Sequence, residues 1–218
     1  MDTTKIGITQ VDILKSVGHK SRTLLNGITG PLQIIRSLSD DPKLIEPLRI
    51  LELSVSRFER FSLRSTILSD MLGNNFSITT EPIDINNLIR YIILDLTDLL
   101  DFYNVKIKLE NESSATVSTD NDLLSQCFTI LFEQLISILD AHSQISVKFE
   151  EGKNQQICKI SCNDSGLVYN SLKATLYSSE HSIDTDIFLL KKITEKLQIE
   201  VSLEKTEDNK TIIKLKFN

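Results

Sequence analysis

Long hydrophobic runs are missing from this 218-residue chain: nowhere do about 18 apolar residues follow one another, so no membrane span is expected. The first 25 residues carry polar or charged groups throughout, which excludes a signal peptide. Cysteine is scarce. Cys127, Cys158 and Cys162 are odd in number and none falls in a CxxC pair, so they read as buried thiols rather than zinc or redox ligands. A reducing, cytoplasmic setting follows. Internal repeats and low-complexity tracts are absent, and no large excess of one charge exists: 24 Lys+Arg stand against 30 Asp+Glu. That acidic balance argues against nucleic acid as a partner. Residues 1–75 hold 10 of the cations against 8 of the acids, leaving 14 against 22 in the rest, so the front is slightly basic and the rear acidic.

What is present begins with a helical rhythm. Leu14, Val17, Leu24, Leu25, Ile28, Leu32, Ile35 and Leu38 recur at a spacing near 3.5 residues, which predicts a helix from about Thr9 to Leu38. Asp40-Asp41-Pro42 ends it and starts a second helix, whose rhythm runs through Leu44, Leu48, Leu51, Val55, Phe58, Phe61, Leu68 and Leu72. Two such helices joined by a short turn lie antiparallel, and the hairpin alone leaves much of each apolar stripe wet. Pairing with a second copy into a four-helix bundle is the physical remedy, so a homodimer is expected.

After Leu72, Gly73-Asn74-Asn75 breaks the pattern and the grammar changes to helices alternating with β-branched, period-two stretches. The expected division is a hairpin over 1–75 and an α/β domain over 76–218, an α+β chain overall. Asp84 caps a helix to about Tyr103. Strands follow at Val105–Glu110 and Ala115–Ser118, then a helix over Asn121–Asp140 and strands at Ile145–Glu150 and Ile157–Cys162. An irregular stretch from Asn163 to Ser182, a helix from Asp184 to Leu197 and a hairpin of Glu200–Glu204 with Thr211–Phe217 complete a mixed sheet covered on one face by three helices.

If Leu14, Ser21, Ile28 and Ile35 share one core position of the first helix, His19 falls at the outermost position, beside Arg22, Thr23 and Asn26. A solvent-facing imidazole carries a lone pair over part of the physiological pH range and is then a nucleophile toward phosphorus. A surface histidine is more often merely solvated. The surrounding string, Gly18-His19-Lys20-Ser21-Arg22-Thr23-Leu24-Leu25-Asn26-Gly27-Ile28-Thr29-Gly30, changes the weighting. It resembles the H-box of sensor histidine kinases, commonly written SHELRTPLNGILG, keeping the histidine, the Arg-Thr pair and Leu-Asn-Gly-Ile-x-Gly without gaps. The resemblance runs on. Leu51–Leu72 is similar to the family's second hairpin helix, and Glu81-Pro82-Ile83-Asp84-Ile85 to the start of its ATP-binding domain. Asp120–Ile136 is similar to its N-box helix, Ile160–Gly166 to its first glycine box, and the segment from Lys191-Lys192-Ile193 to its last helix and hairpin. It implies a helical hairpin bearing the phosphoacceptor His19, followed by an α/β sandwich of the histidine-kinase ATPase type.

Departures from the family pattern cluster where nucleotide chemistry belongs. The carboxylate that follows the histidine in the family, as base or acceptor, is here Lys20, a cation that cannot take the imidazole proton. Gln134 replaces the N-box asparagine that holds Mg²⁺, one methylene too long for an ion intolerant of geometric error, and Ile130 stands at a usually polar position. Asp164-x-Gly166 keeps the pair that reads adenine in the family, yet Val168 fills the place of the next glycine. Where the family carries Gly-Leu-Gly-Leu to cradle phosphates, this chain reads Asp184-Thr185-Asp186-Ile187. Two carboxylates about 5 Å from a triphosphate would each oppose it by roughly 1 kcal/mol or more. The segment between Gly166 and Asp184 is short and holds no glycine to make a lid.

Neither ATP nor Mg²⁺ is therefore expected on this chain. The expected function is a histidine phosphotransferase in a phosphorelay: His19 takes a phosphoryl group from an aspartyl-phosphate on one response-regulator receiver domain and hands it to another, the receiver supplying Mg²⁺. Lys20, Arg22 and Asn26 would face that partner. Thr23, four residues after the histidine, occupies the place from which phosphatase-competent kinases orient water. Absence of a sensor domain suits such a shuttle. A non-enzymatic scaffold that binds receivers, or a divergent ATP-dependent kinase, are the competing readings.

Overall fold

A computed structural model describes residues 10–38, 41–73, 76–110, 115–151, 155–163, 167–177 and 184–217. It divides into two compact units, Met1–Ser77 and Ile78–Asn218.

In the first unit, helix α1 spans Gln10–Leu38 and helix α2 spans Pro42–Leu72. Proline at the first position of α2 needs no N–H partner, and Asp41 caps that turn by accepting from the Lys43 backbone N–H at 2.9 Å. The helices run antiparallel. Lys15 pairs with Asp70, Gly18 with Ser62, Thr29 with Glu59 and Arg36 with Glu52, partners whose numbers fall on one helix as they rise on the other. Leu25, Leu32 and Val55 form a buried cluster with Leu48 against it. The expected core position is only partly realised within the chain. Ser21 is buried, but Ile28 and Ile35 are about half exposed, because the face turned to α2 is Gly18, Ser21, Leu25 and Leu32.

The second unit holds β1 (Glu81–Asp84), α3 (Ile85–Asp95), α4 (Thr97–Tyr103), β2 (Lys106–Leu109), β3 (Thr116–Thr119), α5 (Asn121–Ile138), β4 (Gln144–Glu151), β5 (Gln156–Asn163), α6 (Leu167–Tyr177), α7 (Thr185–Lys196), β6 (Glu200–Lys205) and β7 (Lys210–Phe217). Five strands make a mixed sheet in the order β2-β4-β5-β7-β6, parallel only between β2 and β4. Alternation along the strands puts Ile145, Val147, Phe149, Cys158, Ile160, Cys162, Ile213, Leu215 and Phe217 on the buried face. Helix α5 is buried on more than one side, with Phe128 and Phe132 stacked at 6.1 Å. Asp120 caps α5 through the Leu123 N–H at 3.0 Å and accepts the Thr79 N–H at 2.9 Å with its other oxygen. The fold class is α+β: a helical hairpin followed by a mixed sheet with helices.

Three expectations need correction. The helix expected from Asp84 to Tyr103 is two helices, broken at buried Leu96, where the Thr97 hydroxyl donates to the carbonyls of Ile93 and Leu94 and competes with the helical ladder. The stretch expected to be irregular contains α6, whose Val168 and Leu172 are buried one turn apart. Five helices rather than three therefore accompany the sheet among the described residues. The short strand β3 does not join the main sheet but pairs antiparallel with β1, where Pro82 sits opposite Ser118 in a ribbon with edges that tolerate a missing N–H.

All three thiols are buried. Burial pushes Cys127 up to about 12 from its ordinary 9.0, and raises Cys158, which also lies near Cys127. No helix among the described residues is long and apolar enough to cross a membrane.

Candidate functional site

His19 is exposed on α1, and Lys20, Arg22, Thr23 and Asn26 are exposed with it. At roughly 100° per residue, Arg22, Asn26 and Thr23 lie within about 60° of His19 around the helix axis. The sequence-predicted cluster is thus one continuous patch. The Thr23 hydroxyl donates to the His19 carbonyl at 3.1 Å, a bond within the helix that parks it one turn from the imidazole-bearing residue.

The other side of α1 is apolar and open. Val17, Leu24, Ile28 and Ile35 lie roughly opposite His19 by the same helical count. Leu24 is 66% exposed, a level that leaves most of its side chain in water. Between these two sides runs the contact with α2, where Gly18 is buried and the Ser62 hydroxyl donates to its carbonyl at 2.6 Å. Sequence reasoning included Gly18 in the H-box string but gave no sign that Ser62 of α2 would meet it beside the cluster.

In the second unit, Gln134 lies partly buried in α5, one turn after fully buried Ile130. The usually polar position is thus a core position. Val168 is also buried, in the first turn of α6. Asp164 and Gly166 lie outside the described residues. Asp184 is the N-cap of α7: its Oδ1 accepts from the backbone N–H groups of Asp186 at 2.9 Å and Ile187 at 3.4 Å. Asp186 follows in the first turn, adding a second carboxylate at the positive end of the helix. No group of three or more acidic, histidine or cysteine side chains suited to a metal ion occurs among the described residues.

No protein-family model matches the chain, and no curated protein matches it. Solved structures do. The histidine kinase AdeS of Acinetobacter baumannii superposes with a TM-score of 0.57 at 17% identity, over 92% of this chain and 95% of that one. The fold is that of a sensor histidine kinase core. Full-length ShkA in complex with AMPPNP gives a TM-score of 0.65 at 11% identity, over 96% of this chain and 46% of that one. The histidine kinase ThkA in complex with the response regulator protein TrrA gives 0.57 at 16% identity, over 94% of this chain and 60% of ThkA. In this kinase-core fold the first unit is the helical hairpin and the second the ATPase-like domain.

Proposed function

We propose that this chain is a histidine phosphotransferase-like signalling protein that relays phosphoryl groups between receiver-domain aspartates through His19 and does not draw on ATP of its own. Its kinase-core fold supports a role in two-component signalling. The observation that carries the finer reading is a contrast: His19 stands exposed beside Arg22, Thr23 and Asn26 of the H-box-like string, while the helix start that would receive phosphates is already filled by the Asp184 carboxylate.

The residues present do not suit a nucleoside triphosphate. Backbone N–H groups at a helix start bind anions when they are free, and here two of them are held by Asp184, with Asp186 adding like charge. Gln134 and buried Ile130 offer a poor Mg²⁺ shell, and Val168 brings a branched side chain to a place that requires close backbone approach.

Transfer needs none of these groups. The unprotonated ring nitrogen of His19 attacks the phosphorus of an aspartyl-phosphate. The bond from phosphorus to the aspartyl oxygen breaks, its electron pair leaves on the carboxylate, and the imidazole keeps or releases its remaining proton to water. Mg²⁺ belongs to the receiver. Lys20, Arg22 and Asn26 form the face that meets the partner, and Lys20 supplies charge toward an acidic or phosphorylated surface. Thr23, four residues after His19, is assigned the orienting of water for receiver dephosphorylation. The open stripe of Val17, Leu24, Ile28 and Ile35 is the homodimer seam, closing a four-helix bundle that leaves both His19 side chains outward. We place the protein in the cytoplasm, where the buried thiols stay reduced.

A panel of receiver domains charged with labelled acetyl phosphate tests the reading. Label should move to the wild type and not to His19→Gln. Tight receiver binding without label would favour a scaffold that only binds receivers. Micromolar Mg-ATP affinity by calorimetry would favour a divergent kinase instead.

A further inference from the structure

The hairpin is packed differently at its two ends. From Leu25 onward along α1, leucine and valine side chains fill the contact with α2. Around His19 the contact is made at Gly18 against Ser62 and Thr66, with Ser21 also buried on α1, and the apolar burial at this end of α2 lies further along, at Leu68 and Met71. At the Gly18 crossing itself glycine, serine and threonine supply little apolar area, so the setting of α1 at that one level draws on close approach and hydrogen bonding.

Both are found at Gly18. A Cβ built on it would stand 2.7 Å from Thr66 Oγ1 and 3.1 Å from the Ser62 carbonyl oxygen, so a side chain at this point would have to displace the Thr66 hydroxyl and press the two backbones apart by a few tenths of an ångström. The Ser62 hydroxyl, itself buried, reaches across to the Gly18 carbonyl at 2.6 Å. The Thr66 hydroxyl donates to the Ser62 carbonyl at 3.1 Å and is thereby held against α1. Turning α1 by one residue would drive the Cβ of Val17 or His19 into the same wall. The backbone directly before His19 therefore has one rotational phase, and that phase aims His19 outward.

We infer that the Gly18–Ser62–Thr66 crossing is a positioning device for phosphoryl transfer, setting the angle at which His19 meets its phosphoryl donor. The inference rests on His19 being the phosphoacceptor. In-line attack needs nitrogen and phosphorus about 3–3.5 Å apart and aligned, and a displacement near 1 Å can cost on the order of a hundredfold in rate. Ser62 and Thr66 touch no reacting atom; they act through the α1 backbone.

The test compares two donors on the full-length protein: receiver domains charged with labelled acetyl phosphate, which must dock on the hairpin, and phosphoramidate, which needs no docking. Gly18→Ala and Ser62→Ala are each expected to slow transfer from the receiver at saturation by about tenfold. The half-saturating receiver concentration and the phosphoramidate reaction should stay within about twofold. Combining Gly18→Ala with Thr66→Ala removes the nearest clashing atom and is expected to recover most of the lost rate. Receiver transfer unchanged in both single variants overturns the positioning role alone, with His19 still the acceptor. An equal fall with both donors also overturns it, since general loss of structure would do the same. Should wild type take label from no receiver, the transfer reading itself fails and the positioning role with it. Ser62→Ala keeps the question decidable if Gly18→Ala does not fold.

Discussion

Asp184 caps its own helix: one carboxylate oxygen accepts the Asp186 N–H at 2.9 Å and leans on that of Ile187 at 3.4 Å. In the proposed reading, this intramolecular anion holds the helix start at which the kinase family receives a phosphate. The cap contributes to stability, which makes its loss measurable. Asp184→Ala should lower the unfolding free energy by about 1 kcal/mol in urea titrations, whereas Asp184→Asn, which keeps an acceptor oxygen, should lose only a few tenths. Neither change is expected to create measurable Mg-ATP binding, because Asp186, Gln134 and Val168 remain.

Adjacent leucines on α1 should behave in opposite ways. Leu25 is 2% exposed against α2, so Leu25→Ala should cost about 2–5 kcal/mol of stability. Leu24 lies in the open stripe. Leu24→Glu, alone or with Ile28→Glu, should leave helical content intact and convert a dimer of 24.7 kDa chains to monomer in sedimentation equilibrium. A wild type that sediments as a monomer would remove the seam from the proposal.

The Thr23 hydroxyl should matter for phosphatase chemistry and little for fold, since its bond to the His19 carbonyl is exposed. Thr23→Ala is expected to slow receiver dephosphorylation by about tenfold or more while leaving the acceptance of label by His19 within about threefold. Timed loss of label from the receiver, with and without His19→Gln, reads both steps.

Glu150 is held below its ordinary 4.5 by hydrogen bonds from Lys159 and Lys148 on the exposed side of the sheet. A carboxylate whose value is depressed on folding adds stability above its unfolded value. That contribution disappears as the pH drops through the folded one. Urea midpoints should therefore fall on acidification below about pH 4.5, and Glu150→Gln should make that fall shallower.

Burial sets the opposite trend for the thiols. Cys127 keeps its proton in the folded state up to about 12, while the unfolded chain releases it from 9.0. Stability should decline between those values, and a thiol reagent at neutral pH should label none of the three cysteines until denaturant is added.

Much of the architecture was legible because it is local. The 3.5-residue rhythm of α1 and α2, Asp41-Pro42 at the start of the second helix, and the Asp84 cap are properties of neighbouring residues, and the structure bears them out. Period-two alternation likewise located β4, β5 and β7 within a residue or so. Weak local signals failed. Helix α6 has few buried apolar positions over eleven residues, and the break at Leu96 carries neither glycine nor proline to announce it.

The amino-acid order alone determined the two hairpin helices, their apolar stripes and the cluster that puts Lys20, Arg22, Thr23 and Asn26 around His19, since one helix brings these together whatever else happens. Only the tertiary structure decided which stripe of α1 turns to α2 and which stays open, that β3 pairs with β1 outside the main sheet, and that Ser62, 44 residues away, grips the carbonyl before His19. Those outcomes depend on contacts between distant segments, where the spacing of side chains in space, and not along the chain, selects the partner.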